Sequence, residues 1–91
     1  MVKEITDSSF KSEVLENLSM PVLVDFWAPW CGPCRMVSPV VEQMEKEFAG
    51  KLKVCKINTD ENSQSAGEYN ITGIPCLIIF KNGKEVGRII G

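Results

Sequence analysis

The sequence has no histidine among its 91 residues. This absence excludes histidine general bases, Cys-His hydrolase sites and zinc sites that mix cysteine with histidine ligands. Any chemistry must therefore use cysteine, carboxylate, lysine or tyrosine side chains, or backbone groups.

An excess of basic residues is also lacking, since 10 Lys and Arg stand against 12 Asp and Glu, for a formal net charge of -2. Nucleic acids and anionic membrane surfaces are bound through clustered positive charge. We therefore expect no nucleic acid and no membrane among the partners.

Long apolar runs are missing as well. The longest stretches, residues 22–24 and 77–80, are far shorter than the roughly 18 residues that span a bilayer, so we expect a soluble protein. The segment 1–7 contains acidic side chains and no apolar core, unlike a secretory signal. We therefore expect a cytoplasmic location.

No repeat, low-complexity tract or linker-like run divides the chain, so we expect a single domain over residues 1–91. Runs of β-branched and aromatic residues predict strands at 2–5, 22–27, 52–58, 77–80 and 85–90. Asn82-Gly83 is typical of a hairpin turn before the last strand. With helices between the early strands, this order predicts an α/β fold whose mixed central sheet is flanked by helices.

Three helices are predicted from apolar periodicity. The first has about ten residues and carries Phe10, Val14 and Leu18 on one face. The longest begins near Cys31, ends at Gly50 and is bent at Pro39. Its predicted apolar face consists of Val37, Val40, Val41, Met44 and Phe48. A short helix is expected at residues 63–69.

Four cysteines lie at positions 31, 34, 55 and 76. A Cys-x-x-Cys pair alone is a weak signal, but Cys31 and Cys34 lie where a predicted strand ends and a helix begins. Free N–H groups and the helix dipole favour a thiolate there, so Cys31 is the candidate nucleophile. Cys34 lies one turn further on the same face, with Cβ atoms about 5–6 Å apart, and is the candidate resolving thiol.

The residues between the two cysteines also suit this chemistry. Gly32 leaves room for a partner's backbone over the sulfur, and Pro33 is tolerated in a first helical turn because its missing N–H would have no partner there.

With these residues the chain resembles the thioredoxin family. The resemblance rests on Trp-Cys-Gly-Pro-Cys at 30–34, Asp-Phe-Trp-Ala at 25–28, Gly-Ile-Pro at 73–75 and Lys-Asn-Gly-Lys at 81–84, and it extends over the whole chain. It implies a thioredoxin-like fold and a thiol-disulfide oxidoreductase that reduces disulfides in proteins, with electrons from a thioredoxin reductase. It implies no bound cofactor and no metal, only the redox-active disulfide Cys31-Cys34.

The resemblance also assigns supporting roles near the cysteines. An unpaired carboxylate in the middle of an apolar strand tends to hold its proton, and the resemblance makes Asp25 the proton acceptor for Cys34. The alternative is a structural carboxylate with satisfied hydrogen bonds. Lys56 on the neighbouring strand corresponds to the family's lysine that reaches this aspartate, and the alternative is an exposed strand lysine.

A substrate surface is implied by the same resemblance. A cis bond between Ile74 and Pro75 is expected to face the two cysteines and to offer backbone groups to a substrate strand. Trp30 is expected to be a partly exposed wall of this groove, whereas Trp27 packs in the core. The substrate-binding residues expected by resemblance are Trp30, Gly32, Pro33, Ile74, Pro75 and Gly91.

The remaining cysteines favour a plain interpretation. Cys76 replaces the family's usual threonine, and a small buried residue is favoured over one that traps alternative disulfides or binds a soft metal. Cys55 is expected to be a core residue. A four-thiolate zinc site would call for a second Cys-x-x-Cys pair, which the sequence lacks.

Thioredoxins usually continue past the glycine that matches Gly91 into a final helix covering one sheet face, and this sequence stops at that glycine. Without that helix, we expect the uncovered apolar face to lower the stability of the protein, or to be buried in a dimer or swapped assembly.

Three rival functions stay open at this point. An oxidase or isomerase of the same fold is disfavoured by Gly-Pro between the cysteines, since oxidising relatives usually differ there. A non-catalytic binding module would use the groove at Trp30, Ile74 and Pro75 without needing either thiol. A weakly active folding fragment would keep the motif with little activity.

Overall fold

The computed structural model describes residues 1–91, and its centre is one five-stranded sheet in the order β1-β3-β2-β4-β5. The strands are β1 (Lys3–Ile5), β2 (Val22–Trp27), β3 (Lys53–Asn58), β4 (Cys76–Lys81) and β5 (Lys84–Ile90). β3 is parallel to β1 and β2, whereas β4 is antiparallel to β2 and β5. The predicted mixed sheet, parallel first and antiparallel afterwards, is confirmed.

Helical segments connect the strands. They are α1 (Asp7–Phe10), which continues into a π-helical segment (Lys11–Leu15), then α2 (Gly32–Glu47) and α3 (Ser63–Glu68). α1 begins where the Thr6 N–H donates to Ser9 Oγ at 2.9 Å, which satisfies a donor that the helix itself leaves free. No helix combines the length and hydropathy that a membrane span requires.

The predicted apolar face of the first helix is wrong at its last residue. Phe10 and Val14 are buried as expected, but Leu18 is 69% exposed. The helical segment ends at Leu15, where the Glu16 N–H donates to the Lys11 carbonyl in a wide turn. Leu18 therefore lies beyond the helix and does not share its face.

The apolar face of α2 is narrower than predicted. Val41 is buried against Leu23 and Val54, and Val37 and Met44 pack beside it. Val40 is 57% exposed, and Phe48, at the C-cap just past the helix, is exposed as well. Val37, Val41 and Met44, spaced by four and three residues, form the row that faces the sheet. Val40 lies about 100° around the helix from Val41 and therefore outside this row.

The apolar core lies on both faces of β2. Val22, Val24 and Phe26 belong to the larger core cluster, together with Phe10 and Val14. Leu23 faces the other way and packs under Val41 of α2. Burial on both faces is typical of a central strand in an α/β sheet, and Asp25 is the one ionisable residue in this buried run.

The hairpin at Asn82 and Gly83 is confirmed. Both residues have positive φ values, 53° and 78°, as the tight turn between two twisted strands requires. A Cβ atom on Gly83 would lie 2.6 Å from the Leu15 carbonyl oxygen. This position therefore needs glycine for its backbone conformation and for its contact with the end of the π-helical segment.

The β4–β5 half of the sheet is apolar and open on the face that α2 partly covers. Leu77 and Ile79 are partly buried beside the Leu23 cluster, and the exposed Ile89 of β5 is in register with Leu77 on this face. Ile90, the register partner of Cys76, is exposed on the opposite face.

Candidate active site

Cys31 and Cys34 form a disulfide at the start of α2, with their Cα atoms 5.3 Å apart. Cys31 is the N-cap residue, and its sulfur accepts a hydrogen bond from the Cys34 N–H at 3.2 Å. The chain reaches this point from β2 through a turn closed by the Cys31 N–H and the Ala28 carbonyl at 3.1 Å. The N-terminal donors of the helix thus face the Cys31 sulfur, where they favour a thiolate in the reduced protein.

The disulfide is shielded by its neighbours. Cys31 and Cys34 are buried in a small cluster with Ala28, and Trp27 and Ile74 pack against it. Cys31 Sγ lies 3.8 Å from the Ile74 carbonyl oxygen. The segment before Pro75 therefore lies directly over the sulfur, although it is more than forty residues away in the sequence.

Asp25 is buried at the base of the site, and its Oδ1 atom has no hydrogen-bond partner. Burial raises the pKa of its carboxyl group from the ordinary 3.8 to about 6, although the charge of Lys56 opposes this rise and that of Glu4 adds to it. No protein group satisfies this oxygen, which disfavours the alternative of a structural carboxylate with satisfied hydrogen bonds. A carboxyl group with this pKa can exchange a proton near neutral pH.

A cavity of about 150 Å³ joins Asp25 to the disulfide. Its lining consists of Asp25, Trp27, Ala28, Pro29, Cys34, Arg35, Ser38 and Lys56. Polar side chains make up part of this lining, and the cavity is large enough for water. Asp25 and the resolving cysteine therefore open onto one space through which a proton can pass.

Lys56 lies beside Asp25 in the parallel register of β3 and β2. Its ammonium group is 3.9 Å from Glu4 Oε1 and 5.5 Å from the centre of the Trp27 ring. The ion pair of Lys56 is thus with Glu4, and its charge acts on Asp25 through space. The direct partnership of Lys56 with Asp25 stays a prediction.

The substrate-binding residues expected from the sequence surround the disulfide. The Ile74-Pro75 peptide bond is cis, and the Gly91 N–H donates to the Pro75 carbonyl at 3.0 Å. Trp30 is 69% exposed, and Gly32 and Pro33 are exposed on the same helix start. An open depression of about 300 Å³ lies between Trp30 and the 71–74 segment, and it is lined by Trp30, Thr59, Ala66, Ile71, Thr72, Gly73 and Ile74.

Asp60 is a site residue that no sequence motif indicated. Its Oδ1 atom accepts a hydrogen bond from Trp30 Nε1 at 3.0 Å, which orients the exposed indole. Thr59, next to it, donates from its backbone and its hydroxyl group to the Trp27 carbonyl. Asp60 is the second residue after β3 ends, and the carboxyl ends of parallel strands meet at one edge of a sheet. That topological rule is the signal that could have identified it.

Cys55 and Cys76 are free and buried. Both belong to the larger core cluster, whereas Cys31 and Cys34 form a separate cluster with Ala28. Burial raises the pKa of both thiols, which keeps them protonated and unreactive at neutral pH. Their arrangement favours the plain core interpretation.

Comparisons with known proteins agree with this geometry. The family model described as Thioredoxin matches residues 1–91. A thioredoxin 1 from Nostoc sp. is 58% identical over 88 residues, which cover 97% of this chain and 81% of the relative. A thioredoxin from Pyropia yezoensis is 59% identical over 99% of this chain and 83% of its own length. One from Rickettsia prowazekii is 52% identical over all of this chain and 86% of its own length.

Proposed function

This chain belongs to the thioredoxin family, and from that premise we propose how its residues divide the work of reducing protein disulfides. The chain is a thiol-disulfide oxidoreductase that acts on disulfide-containing proteins and has a reductase as its partner. One observation carries the proposed roles: the Cys31-Cys34 disulfide lies at a helix N-terminus with Asp25 on the same cavity as Cys34.

In the first proposed step, the Cys31 thiolate attacks one sulfur of a substrate disulfide. A bond forms between Cys31 Sγ and that sulfur, the substrate S–S bond breaks, and the other substrate sulfur leaves as a thiolate that takes a proton. The Cys34 N–H, which points at Cys31 Sγ from 3.2 Å, supports Cys31 as the nucleophile because it stabilises negative charge there.

In the second step, Cys34 resolves the mixed disulfide. Its thiol gives its proton to the Asp25 carboxylate through the shared cavity, and the resulting thiolate attacks Cys31 Sγ. The bond to the substrate breaks, the reduced product leaves, and the Cys31-Cys34 disulfide remains. A carboxyl group with a pKa of about 6 is ionised at neutral pH and basic enough to accept this proton. Lys56 lines the same cavity, and its charge at a distance favours the ionised form of Asp25 that is needed before the proton is transferred.

The exposed surface around the disulfide is the proposed substrate groove. Trp30 and Ile74 supply apolar contact, and the absence of a side chain at Gly32 leaves room above the sulfur. Pro75 and Gly91, tied together by the hydrogen bond between them, form the opposite wall. Pro33 completes the exposed rim on the helix side.

We also propose the setting of this activity. Residues 1–91 act as one domain in the cytoplasm, without a bound cofactor beyond the redox-active disulfide. A thioredoxin reductase restores the dithiol. The net charge of -2 supports the expectation that neither nucleic acid nor a membrane surface is a partner.

A dimer through the open sheet face is the last part of the proposal. The exposed Ile89, in register with the partly buried Leu77 and on the same face as Ile79, supports burial against a second copy. Sedimentation tests it: a concentration-dependent dimer is expected, and a monomer with an ordinary cooperative melting transition would contradict it.

The experiment for the main proposal is reduction of insulin disulfides with dithiothreitol as electron source. The Cys31→Ser variant is expected to lose the activity, whereas Cys55→Ser, which removes a buried thiol away from the site, is expected to keep it. Equal binding of a disulfide-containing partner by the wild-type chain and the Cys31→Ser variant, with no reduction by either, would support a non-catalytic binding module instead. An inactive but folded wild-type chain would support the folding-fragment alternative.

A further inference from the structure

Three ionisable residues form one row across the parallel part of the sheet. Glu4 of β1 is the register partner of Lys56 on β3, and Lys56 is the register partner of Asp25 on β2. Side chains in register on adjacent parallel strands lie on the same face of a sheet. The order along the row is therefore acid, base, acid, with Glu4 and Asp25 two strand spacings, about 10 Å, apart.

The lysine in this row is held by the outer carboxylate. Lys56 Nζ lies 3.9 Å from Glu4 Oε1, and the same ammonium lies 5.5 Å from the centre of the Trp27 ring. Glu4 is half-exposed, whereas Asp25 is buried and its Oδ1 atom has no partner. Lys56, which has a carboxylate in register on each side, thus pairs with the more hydrated one.

We propose that Glu4 is a positioning residue for the resolving step: it keeps the Lys56 ammonium over Trp27 and out of an ion pair with Asp25, which leaves the Asp25 carboxylate free to take the Cys34 proton. This role rests on the proposed function and extends it to a residue outside the cavity.

The surroundings of Asp25 leave Lys56 as the group that Glu4 can move. From α2, Cys34 and Arg35 line the cavity, and the Arg35 guanidinium is engaged by the Pro29 carbonyl at 3.0 Å. From β4, the register partner of Asp25 is the uncharged Leu77. From β3, Lys56 is the only charged side chain on the Asp25 face of the sheet, since Lys53 lies on the other face of the strand. The charge of Lys56 lowers the pKa of Asp25, while that of Glu4 opposes it.

Removal of the Glu4 charge changes which carboxylate is available as the ion-pair partner of Lys56. In a Glu4→Gln variant, Asp25 is the only carboxylate left in the row, and an opposite charge drawn to within 4–6 Å of a carboxylate typically lowers its pKa by one unit or more. The loss of the Glu4 charge alone, at about 10 Å in water, changes proton affinity only about twofold. Movement of Lys56 toward Asp25 therefore changes the proton affinity of Asp25 more than the loss of the Glu4 charge alone does.

The test is a ¹³C NMR titration of the Asp25 carboxyl group in the disulfide form, where neither Cys31 nor Cys34 titrates. Glu4→Gln is expected to lower the proton affinity of Asp25 by about tenfold. In a Lys56→Gln background, the same change is expected to lower it only about twofold. Glu16→Gln, which removes another surface ion pair of 3.9 Å, with Lys11, is the matched control and is expected to leave the titration unchanged.

Kinetics give the second readout. Glu4→Gln is expected to slow the release of reduced product from the mixed disulfide severalfold, without slowing the initial attack of Cys31. An Asp25 titration that shifts equally in the two Lys56 backgrounds, or does not shift at all, would overturn the role of Glu4. An Asp25→Asn variant that resolves at the wild-type rate would instead overturn the role proposed for Asp25, so the two failures are distinguishable.

Discussion

Asp25 and Cys34 open onto the same cavity of about 150 Å³, although one lies in the middle of β2 and the other in the first turn of α2. The carboxyl group has no hydrogen-bond partner at Oδ1 and a pKa raised to about 6. Burial of such a carboxyl group lowers the stability of the fold. Its position beside the resolving thiol indicates that this loss is offset by a role in the reaction.

Replacement of Asp25 by Asn is expected to stabilise the protein in a pH-dependent way. Burial raises the pKa of Asp25 in the folded protein from the ordinary 3.8 to about 6. Asp25 therefore favours the folded state most below pH 4, where it is protonated in both states, and this contribution is lost as the pH rises through 6. The loss is about 3 kcal/mol for two pKa units. Asp25→Asn should therefore raise the free energy of unfolding by up to about 3 kcal/mol at pH 8 and little at pH 4.

Denaturant unfolding at both pH values measures this effect, with Asp60→Asn as a control for loss of an exposed carboxylate. A gain of equal size at pH 4 and pH 8 would contradict the burial of an ionising group at position 25.

A Cys34→Ser variant is expected to stop the reaction at the mixed disulfide. Cys31 still attacks, because the backbone N–H of residue 34 that faces its sulfur remains, but no thiol is left to displace the substrate. Mass spectrometry should find one substrate chain per protein, attached at Cys31. Attachment at Cys55 or Cys76 would show that a buried thiol reacts and would contradict the assignment.

A Gly83→Ala variant is expected to lose about 2 kcal/mol or more of unfolding free energy. The position has a φ of 78°, and a Cβ atom would lie 2.6 Å from the Leu15 carbonyl oxygen. Gly67→Ala is the matched control, because nothing lies within 4 Å of a Cβ atom at that helical position. It should stabilise α3 by about 0.5–1 kcal/mol. Equal effects of the two substitutions in chemical denaturation would contradict the turn geometry.

An Asp60→Ala variant is expected to impair recognition of protein substrates and to leave the chemistry of the cysteines intact. The substitution removes the acceptor that holds the exposed Trp30 indole at 3.0 Å, so the groove loses one ordered wall. KM for insulin should rise severalfold, while the alkylation rate of Cys31 by iodoacetamide stays at the wild-type value. An unchanged KM would mean that the orientation of Trp30 does not matter for binding.

Much of the site could be predicted from the sequence, because its parts are marked by local chemistry. The strand before Cys31, the helix after it and the buried Asp25 follow from residue pattern alone. The cis peptide at Ile74-Pro75 and the placement of Gly91 came from the family resemblance, since neither periodicity nor spacing brings residues so distant in sequence over the sulfur.

The parts that sequence reasoning missed depend on register and on where a helix ends. Glu4 faces Lys56 only because β1 pairs with β3 at that position, and a strand pattern does not contain the alignment of its neighbours. Asp60 can be identified as a site residue only when the sheet edge shared by the ends of β2 and β3 is known. Apolar periodicity places Leu18 and Val40 on buried helix faces. It does not show that the first helical segment ends at Leu15, or that α2 contacts the sheet through one narrow row of side chains.

The most direct test of the account is the rate of the resolving step as a function of pH, measured in a single turnover from a preformed mixed disulfide at Cys31. For the wild-type protein the rate should fall as the pH drops below about 6, where Asp25 takes up a proton. Asp25→Asn should lower the rate at pH 7 by about 10²-fold and remove this dependence. An Asp25→Asn variant with the wild-type rate and the same pH profile would contradict the account.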